Sequence, residues 1–402
     1  MKREEKLFEA IGEIGDELLL ESEKQQKSRR WLWIPAAACV CLAAVGSAKL
    51  LWMPAETEAN PDLPMLEIST DAATMGFEGY MAYDASELVS GNPWQETDKI
   101  TMLPVYRNPV SYNEYGQQTG GDFEDMHALL LDVAGRLGLD TDTLPITDDM
   151  PDEESRAKIT EKFAAVGEEV PEGYFVPTKL KACQNGIEIE VGQDLTAAIS
   201  FDPAVSLPDG YNFTHYASYG EVQETADYLE TTYAALIGAE KPQRNIYGGD
   251  YDINGNQFYH IEFFDGSGDK VRQIINYNFN RTAFYCDDDG KLFLARVYQP
   301  DLSEKIGDYP VITAADAKEL LLEGNYITTV PYEIPGEEYL AKTELVYRTG
   351  NGEEYFMPYY RFYVELPELE RENGLKTFGA YYVPAVSQAY ITEMPVWDGS
   401  FN

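Results

Sequence analysis

A long uncharged stretch near the N-terminus is the feature that most limits how this chain can fold. Eighteen residues without charge begin at Trp31, and after Lys49 the apolar run continues to Met53. The 22 positions from Trp31 to Trp52 reach about 33 Å as a helix, enough for a hydrocarbon core of about 30 Å. Tryptophans stand near both ends, where interfacial aromatic residues are common. The pattern predicts a transmembrane helix over residues 31–53.

The charges beside this segment predict its orientation. Lys24, Lys27, Arg29 and Arg30 crowd its N-terminal flank, and by the positive-inside rule such a flank stays in the cytoplasm. We therefore expect a single-pass protein of the cell membrane, with the N-terminus inside and the C-terminus outside.

Three other interpretations fit the apolar run less well. A buried core helix would not need flanking basic residues and tryptophans. A cleaved signal peptide would have a small-residue site at Gly46-Ser47-Ala48, but the 30-residue leader, which is both acidic and basic, is too long for an ordinary n-region. A lipoprotein would use Cys39, which only a short apolar region precedes.

The net negative charge of the chain comes entirely from the part after the span. The chain carries 30 basic and 70 acidic residues, of which residues 1–53 hold eight of each, leaving 22 and 62 for the rest. Such a surface repels nucleic acids and anionic lipids, which excludes them as partners. The 29 tyrosines and 17 phenylalanines nevertheless provide enough apolar material for a packed core.

The cytoplasmic leader, residues 1–30, contains an amphipathic helical pattern. Its apolar stripe recurs at spacings of three and four residues, and it consists of Leu7, Phe8, Ile11, Ile14 and Leu18. One short helix cannot bury this stripe against itself, and its acidic polar face disfavours the inner leaflet. We expect the stripe to dock on a cytoplasmic protein; the alternative is a spacer helix without a partner.

The part outside the membrane divides into a stalk and two folded units. Residues 54–75 are rich in proline and acids, which is typical of an extracellular stalk. Residues 76–216 and 217–402 each read as a helix followed by about three antiparallel strands. The predicted fold class is α+β, with helices covering one side of each sheet.

Several elements have distinct local signals. Helices are predicted from Asp122 to about Leu137, from Asp152 to Val166, after a capping box at Ser218, and over 314–323 after Thr313. Alternation of apolar residues with asparagines predicts a half-buried strand within 271–286. Strands are also predicted at 341–348 and 354–366.

Signals for catalysis are weak. His127, His215 and His260 lack the spacing of metal ligands, and no nucleophile elbow, P-loop or dinucleotide fingerprint is present. Cys183 and Cys286 are the cysteines outside the span, and they allow one disulfide at most. We therefore expect that the chain is not an enzyme.

One loop has the beginning of a calcium-binding sequence. Asp250, Asp252 and Asn254, followed by Gly255, match the opening of an EF-hand loop, but Ile261 occupies the position of the final glutamate. The residues are candidate ligands for Ca²⁺. A type I′ hairpin at Asn254-Gly255 without metal is the alternative.

An aromatic strand is the candidate binding surface of the outer part. Residues 355–363 place aromatics on both faces of one strand, so a sheet covered on one side would expose half of them. Tyrosine and arginine are frequent at interfaces, which makes Tyr359, Arg361 and Tyr363 candidate partner-binding residues. Packing between two layers is the alternative.

Two resemblances add to this interpretation. The opening EKLFEAIGEIGDELLLESE, followed by basic residues and one span, resembles single-pass anti-sigma-factor-like proteins of Gram-positive bacteria, although it lacks the His and Cys ligands of zinc-binding anti-sigma domains. The segments 311–317, 358–364 and 381–386 are similar to the extracytoplasmic regulators of the cell-wall sensor histidine kinase. The resemblances imply a leader that engages a cytoplasmic regulator and an outer part that binds a partner.

Two functions follow from these observations. The first is a membrane-anchored extracytoplasmic sensory or protein-binding module that regulates a cytoplasmic or membrane signalling partner. The alternative is a surface-anchored calcium- or carbohydrate-binding domain or hydrolase.

Overall fold

The computed structural model describes residues 62–68, 77–112, 118–119, 121–170, 174–350 and 352–399. The leader stripe, the apolar run and most of the stalk lie outside these ranges, so the predictions made for them stay predictions. Among the described residues, no helix combines the length and the apolar character that a membrane crossing requires.

The described elements alternate between helices and antiparallel strands. The helices are α1 (Phe123–Arg136), α2 (Glu153–Val166), α3 (Tyr219–Thr232), α4 (Ala234–Ile237), α5 (Lys270–Phe279) and α6 (Ala314–Leu322). The strands are β1 (Gly79–Ala82), β2 (Met102–Arg107), β3 (Ser111–Tyr112), β4 (Gln118–Thr119), β5 (Ile146–Asp148), β6 (Lys179–Gln184), β7 (Ile187–Gly192), β8 (Thr196–Val205), β9 (Pro242–Tyr251), β10 (Gln257–Asp265), β11 (Arg281–Cys286), β12 (Leu292–Tyr298), β13 (Lys305–Pro310), β14 (Leu340–Tyr347), β15 (Tyr355–Phe356), β16 (Pro358–Glu365) and β17 (Lys376–Pro384).

Side-chain caps start the helices where the sequence predicts them. Asp122 accepts a hydrogen bond from the Glu124 backbone N–H ahead of α1. Ser218 and Thr313 each form a reciprocal capping box, ahead of α3 and α6. These caps satisfy N–H groups that a helix leaves without an internal partner, and they confirm the predicted starts.

The strands form two main sheets and two small ones. The larger sheet has the order β5-β6-β7-β8-β12-β11-β10-β9, and a four-stranded sheet has the order β1-β17-β16-β14. A three-stranded sheet, β13-β2-β15, and the hairpin β3-β4 complete the set. The fold class is therefore α+β with antiparallel sheets, as predicted. Strands from both sides of the predicted boundary at 216/217 share the larger sheet, and residues 58–402 group as one compact unit.

Apolar side chains cover both faces of the four-stranded sheet. One face packs with α5 and α6 into a core that includes Ile274, Phe279 and Leu321. The other face packs against the N-terminal segment through Leu66, whose N–H donates to Tyr390 O at 2.8 Å. The prediction of a stalk over 54–75 is therefore wrong at Leu66, which is fully buried against the C-terminal segment after β17 because its apolar side chain joins this core.

The predicted strand within 271–286 is wrong in its first half, where α5 precedes β11. Asp269 caps the helix by accepting from Arg272 N at 2.9 Å. The asparagines that alternation would place in solvent are buried: Asn276 donates to Asp265 O at 2.8 Å, and Asn278 accepts from Tyr347 N at 2.9 Å. Hydrogen bonds to distant strands thus satisfy the polar side chains and permit the helix.

Candidate binding groove

A groove of about 830 Å³ lies beside the β14 edge of the four-stranded sheet. One wall is the segment 84–94, which follows β1, and the floor is β14 with the turn before it. Glu365 and Lys376, which form an ion pair at 2.9 Å, and Tyr219 complete the lining. We call this cavity the edge groove. Its volume falls within the range of about 300–1,000 Å³ that is usual for ligand sites.

The backbone of β14 has an open side toward the edge groove. Opposite Tyr347, Pro358 directs its carbonyl toward β17, because Ala385 N donates to that oxygen at 2.9 Å. In an antiparallel pair, the N–H and C=O of alternate residues point to opposite sides of the strand. Tyr347 therefore turns its backbone N–H and C=O away from β16. The same holds for Leu345 and Thr343, which precede it by two and four residues.

Side-chain amides cap two of these outward positions and leave the third open. Asn278 Oδ1 accepts from Tyr347 N at 2.9 Å, and Asn92 Nδ2 donates to Leu345 O at 3.0 Å. At Thr343, neither the N–H nor the C=O forms a hydrogen bond with any residue that the structure describes. Since Thr343 lines the edge groove, this donor and acceptor face its interior.

The opposite wall is fixed by backbone hydrogen bonds to the larger sheet. Val89 N donates to Gly248 O at 3.0 Å, and Gly91 N donates to Asn245 Oδ1 at 2.8 Å. These bonds tie the segment 84–94 to β9 without a backbone ladder to β14. The wall is therefore held in place while the edge of β14 stays unpaired.

Polar side chains connect this wall to β14. Ser90 Oγ donates to Glu344 Oε1 at 2.5 Å, and Lys342 Nζ lies 2.7 Å from the same oxygen. Lys342 also donates to Leu88 O at 2.8 Å, and Arg361 pairs with the other Glu344 oxygen. Burial alone would raise the pKa of the Glu344 carboxyl, but the charges of Arg361 and Lys342 outweigh it and lower the pKa to about 2.

The same charge network extends to the strand that follows the stalk. Arg361 lies 3.9 Å from Glu78, which accepts hydrogen bonds from Tyr382 at 2.7 Å and from Tyr80 at 2.8 Å. Burial and the neighbouring carboxylate of Glu78 raise the pKa of Tyr80 far above its usual value. The network links β1 to β14 across the whole sheet.

The remaining charges of the edge groove are two carboxylates, that of Glu338 and that of Asp84, which accepts a hydrogen bond from Ser86 N at 2.8 Å. Asp84 and Glu338 are exposed and form no ion pair within the described part of the chain. The two lysines of the groove are instead paired with Glu344 and Glu365. The net charge of the groove is therefore negative, like that of the chain after residue 53.

Four aromatic residues line the groove, namely Trp94, Tyr219, Tyr339 and Phe378. Trp94 is 8% exposed and makes an edge-to-face contact with Tyr360, at 5.6 Å between ring centroids. Tyr219 is 37% exposed and lies against the ring of Tyr259. Tyr219 is thus the aromatic side chain that a bound ligand can reach from the α3 side.

The structure places the aromatic-strand candidates in the interior. Tyr359 is fully buried, Tyr363 is 6% exposed, and Arg361 is held in the charge network. They belong to β16, which lies between β14 and β17 and has both faces covered. The expectation of an exposed face on this strand does not hold; the open position is on the neighbouring strand, at Thr343.

The candidate calcium ligands lie at the end of β9 and in the turn between β9 and β10. Asp252 Oδ1 accepts hydrogen bonds from the N–H groups of Asn254 and Asn256, each at 2.8 Å. Asn254 lacks the positive φ that a type I′ turn requires, whereas Gly255 has φ +82°, so the hairpin is formed by a different turn. Asp250 precedes this turn on β9. In the described ranges, no group of three or more His, Cys, Asp or Glu is arranged around a metal position.

The cysteines and histidines lie apart from the groove. Cys183 is exposed and Cys286 is half-buried, and both are free thiols. His260 stacks on Tyr247 at 4.8 Å, and burial lowers its pKa. His127 and His215 also contact aromatic rings.

Comparisons with known proteins do not assign this geometry to a family. No protein-family model matches the chain, and no curated protein matches it.

Reasoning from the sequence missed the edge groove but one signal for it was present. The strand Leu340–Tyr347 includes Lys342, Thr343 and Glu344, and charged side chains within a strand are typical of sheet edges. The pairing order that leaves β14 outermost depends on β1, which is far away in the chain.

Proposed function

We propose that this chain is a membrane-anchored extracytoplasmic module that binds a protein partner in the edge groove and regulates a signalling protein of the cytoplasm or membrane. The observation that carries the proposal is the unpaired backbone of Thr343 in a groove of ligand size. An open strand edge is a ready-made contact for another polypeptide. The predicted span, the acidic outer part and the two resemblances support the membrane anchoring and the regulatory role.

The position of the groove in the chain also supports a sensory role. Its wall, segment 84–94, directly follows β1, and the stalk connects β1 to the predicted span at 31–53. Contacts made by a partner in the groove would therefore act on the part of the ectodomain that is nearest to the membrane in sequence. The leader stripe from Leu7 to Leu18 would engage the cytoplasmic partner.

The topology is tested by thiol labelling of intact cells. Cys183 is exposed, whereas burial raises the pKa of the Cys286 thiol to about 11, which makes it a poor nucleophile. A membrane-impermeant maleimide should label the full chain in intact cells, and Cys183→Ser should abolish the labelling. Labelling that requires permeabilised cells would refute an outer location.

Binding in the groove is tested by photo-crosslinking in the native host. A photoreactive phenylalanine replaces Tyr219, which lines the groove, or Tyr216, which is 80% exposed and lies outside the lining. We expect a discrete adduct with a second protein from position 219 and none from position 216. Equal patterns from both positions, or none, would contradict the proposal.

A further inference from the structure

We propose that the edge groove accepts an extended polypeptide segment with basic side chains, which adds to β14 as a further antiparallel or parallel strand through Thr343. The inference rests on the proposed function and specifies its ligand.

The backbone of Thr343 defines the chemistry of the contact. Its N–H and C=O point to the same side of the strand, and no described residue pairs with either. A partner must supply an acceptor and a donor with the spacing of a peptide backbone, and an extended strand has that spacing. Strand addition of this kind gives affinity through main-chain hydrogen bonds.

The neighbouring residues limit how far the added strand reaches. Asn92 and Asn278 already cap Leu345 and Tyr347, so the C-terminal half of the edge is closed. A register irregularity lies between Leu340 and Lys342. The segment therefore pairs at Thr343 and continues along the groove over the turn that precedes β14.

The charges of the groove select a basic segment. Lys342 and Lys376 pair with Glu344 and Glu365, which leaves the exposed carboxylates of Asp84 and Glu338 without an ion pair in the described ranges, although Asp84 accepts a hydrogen bond from Ser86 N at 2.8 Å. The excess of acidic residues after the span adds a long-range attraction for cations.

The same charges argue against occupants from this chain. The stalk, residues 54–75, has several acidic residues and no lysine or arginine. A second copy of the ectodomain would bring the same acidic surface, which is repelled. A separate protein with a basic extended segment is the occupant that complements the groove.

The experiment selects peptides on the full chain in lipid nanodiscs. A display library of random decapeptides is the probe, and one enriched peptide is synthesised for measurement of Kd by fluorescence anisotropy. We expect enriched peptides to combine lysine or arginine with residues that favour strands, and a glutamate-substituted version to lose binding. Failure to enrich any peptide, or enrichment of acidic ones, would overturn the inference.

Two substitutions at one position isolate the backbone contact. Thr343→Pro removes the outward N–H without removing a ladder hydrogen bond, and proline is tolerated on an edge in this orientation. Thr343→Val keeps the N–H and is the matched control. We expect Thr343→Pro to raise Kd by about tenfold or more, the effect of one lost hydrogen bond with an unpaired partner, and Thr343→Val to leave it nearly unchanged.

A change in the peptide provides a test that does not depend on folding of the variant. N-methylation of successive backbone nitrogens should weaken binding most at the one nitrogen that donates to the Thr343 carbonyl and little at the two nitrogens beside it. Equal Kd values for Thr343→Pro and Thr343→Val, or equal effects of methylation at every nitrogen, would overturn strand addition. A dimer that Thr343→Pro converts to a monomer would assign the edge to a second copy and also overturn the proposal.

The results separate this inference from the proposed function. If position 219 gives an adduct in cells while Thr343→Pro leaves that adduct intact, the groove binds a partner in another way and only strand addition fails. If position 219 gives no adduct, both strand addition and the proposed function fail.

Discussion

Glu344 joins the wall of the edge groove to the interior of the sheet, and its replacement by glutamine removes one charge from a buried network. The residue is 2% exposed, with Ser90 and Lys342 on one carboxylate oxygen and Arg361 on the other. Glutamine keeps the shape but leaves Arg361 with Glu78 at 3.9 Å. Removing one partner of a buried ion pair costs about 3–5 kcal/mol.

The pKa of Glu344 gives a second estimate of the same size. It is lowered from 4.5 to about 2 because the attraction of Arg361 and Lys342 exceeds the cost of burial. At about 1.36 kcal/mol per pH unit, this shift corresponds to roughly 3 kcal/mol of stability at neutral pH. Because the folded-state pKa is the lower one, that stability is complete above the unfolded value and is lost as the pH falls from about 4.5 toward 2.

The assay is urea unfolding of the full chain in mild detergent, followed by near-ultraviolet circular dichroism, which reports tyrosine packing. The difference in unfolding free energy between wild type and Glu344→Gln should be roughly 3 kcal/mol at pH 7 and fall to about half of that by pH 3. Glu365→Gln is the control, because its pair with Lys376 is partly exposed, and its cost should stay below about 1 kcal/mol. A cost below about 1 kcal/mol for Glu344→Gln, or a difference that does not change with pH, would refute the reasoning.

Two further substitutions test the wall of the groove and the hairpin. In Gly91→Ala the new methyl group would collide with the backbone carbonyl of Arg244, so we expect a loss of about 1–3 kcal/mol. Gly220→Ala in α3 meets no atom within 4 Å and should be neutral or stabilising by up to about 1 kcal/mol. Thermal unfolding compares the two, and equal melting temperatures would contradict the collision. Asp252→Ala removes the acceptor of two backbone hydrogen bonds of the turn and should lower the melting temperature by the same amount in calcium and in chelator; a loss seen only with calcium would favour the calcium prediction instead.

Local signals predicted the helices well because their causes lie within a few residues. The carboxylate or hydroxyl of Asp122, Ser218 and Thr313 bonds to an N–H two or three positions away. The strand predicted within 271–286 was wrong in its first half because alternation treats every asparagine as exposed. Asn278 is buried by a hydrogen bond to Tyr347, which is 69 residues distant, and no local pattern contains that contact.

The candidate site was missed for a related reason. Aromatic content correctly drew attention to the strand 354–366, but exposure depends on the order of strands in the sheet. β1 adds to β17 on one side, which leaves β14 outermost on the other and places Tyr359 in the interior. The aromatic content of the sequence pointed to a strand of the four-stranded sheet. The open edge at Thr343, in contrast, follows from the pairing of β1 with β17, whose residues are about 300 positions apart.

Polar contacts join the wall of the edge groove to β14. Under our proposal, a partner bound in the groove would act on the neighbouring chain through these contacts. A ligand shifts an equilibrium between two arrangements only if it binds one of them better. In the structure the wall is held to β9 through Val89 and Gly91 and to β14 through Ser90 and Asn92, so under our proposal an added strand would stabilise the arrangement that is already present. Before the wall the chain includes β1 and Leu66, and Leu66 is held to the C-terminal segment by hydrogen bonds to Tyr390 and from Thr392. This stretch of chain leads toward the predicted span at 31–53, so under our proposal a contact made in the groove would be passed along it toward the leader.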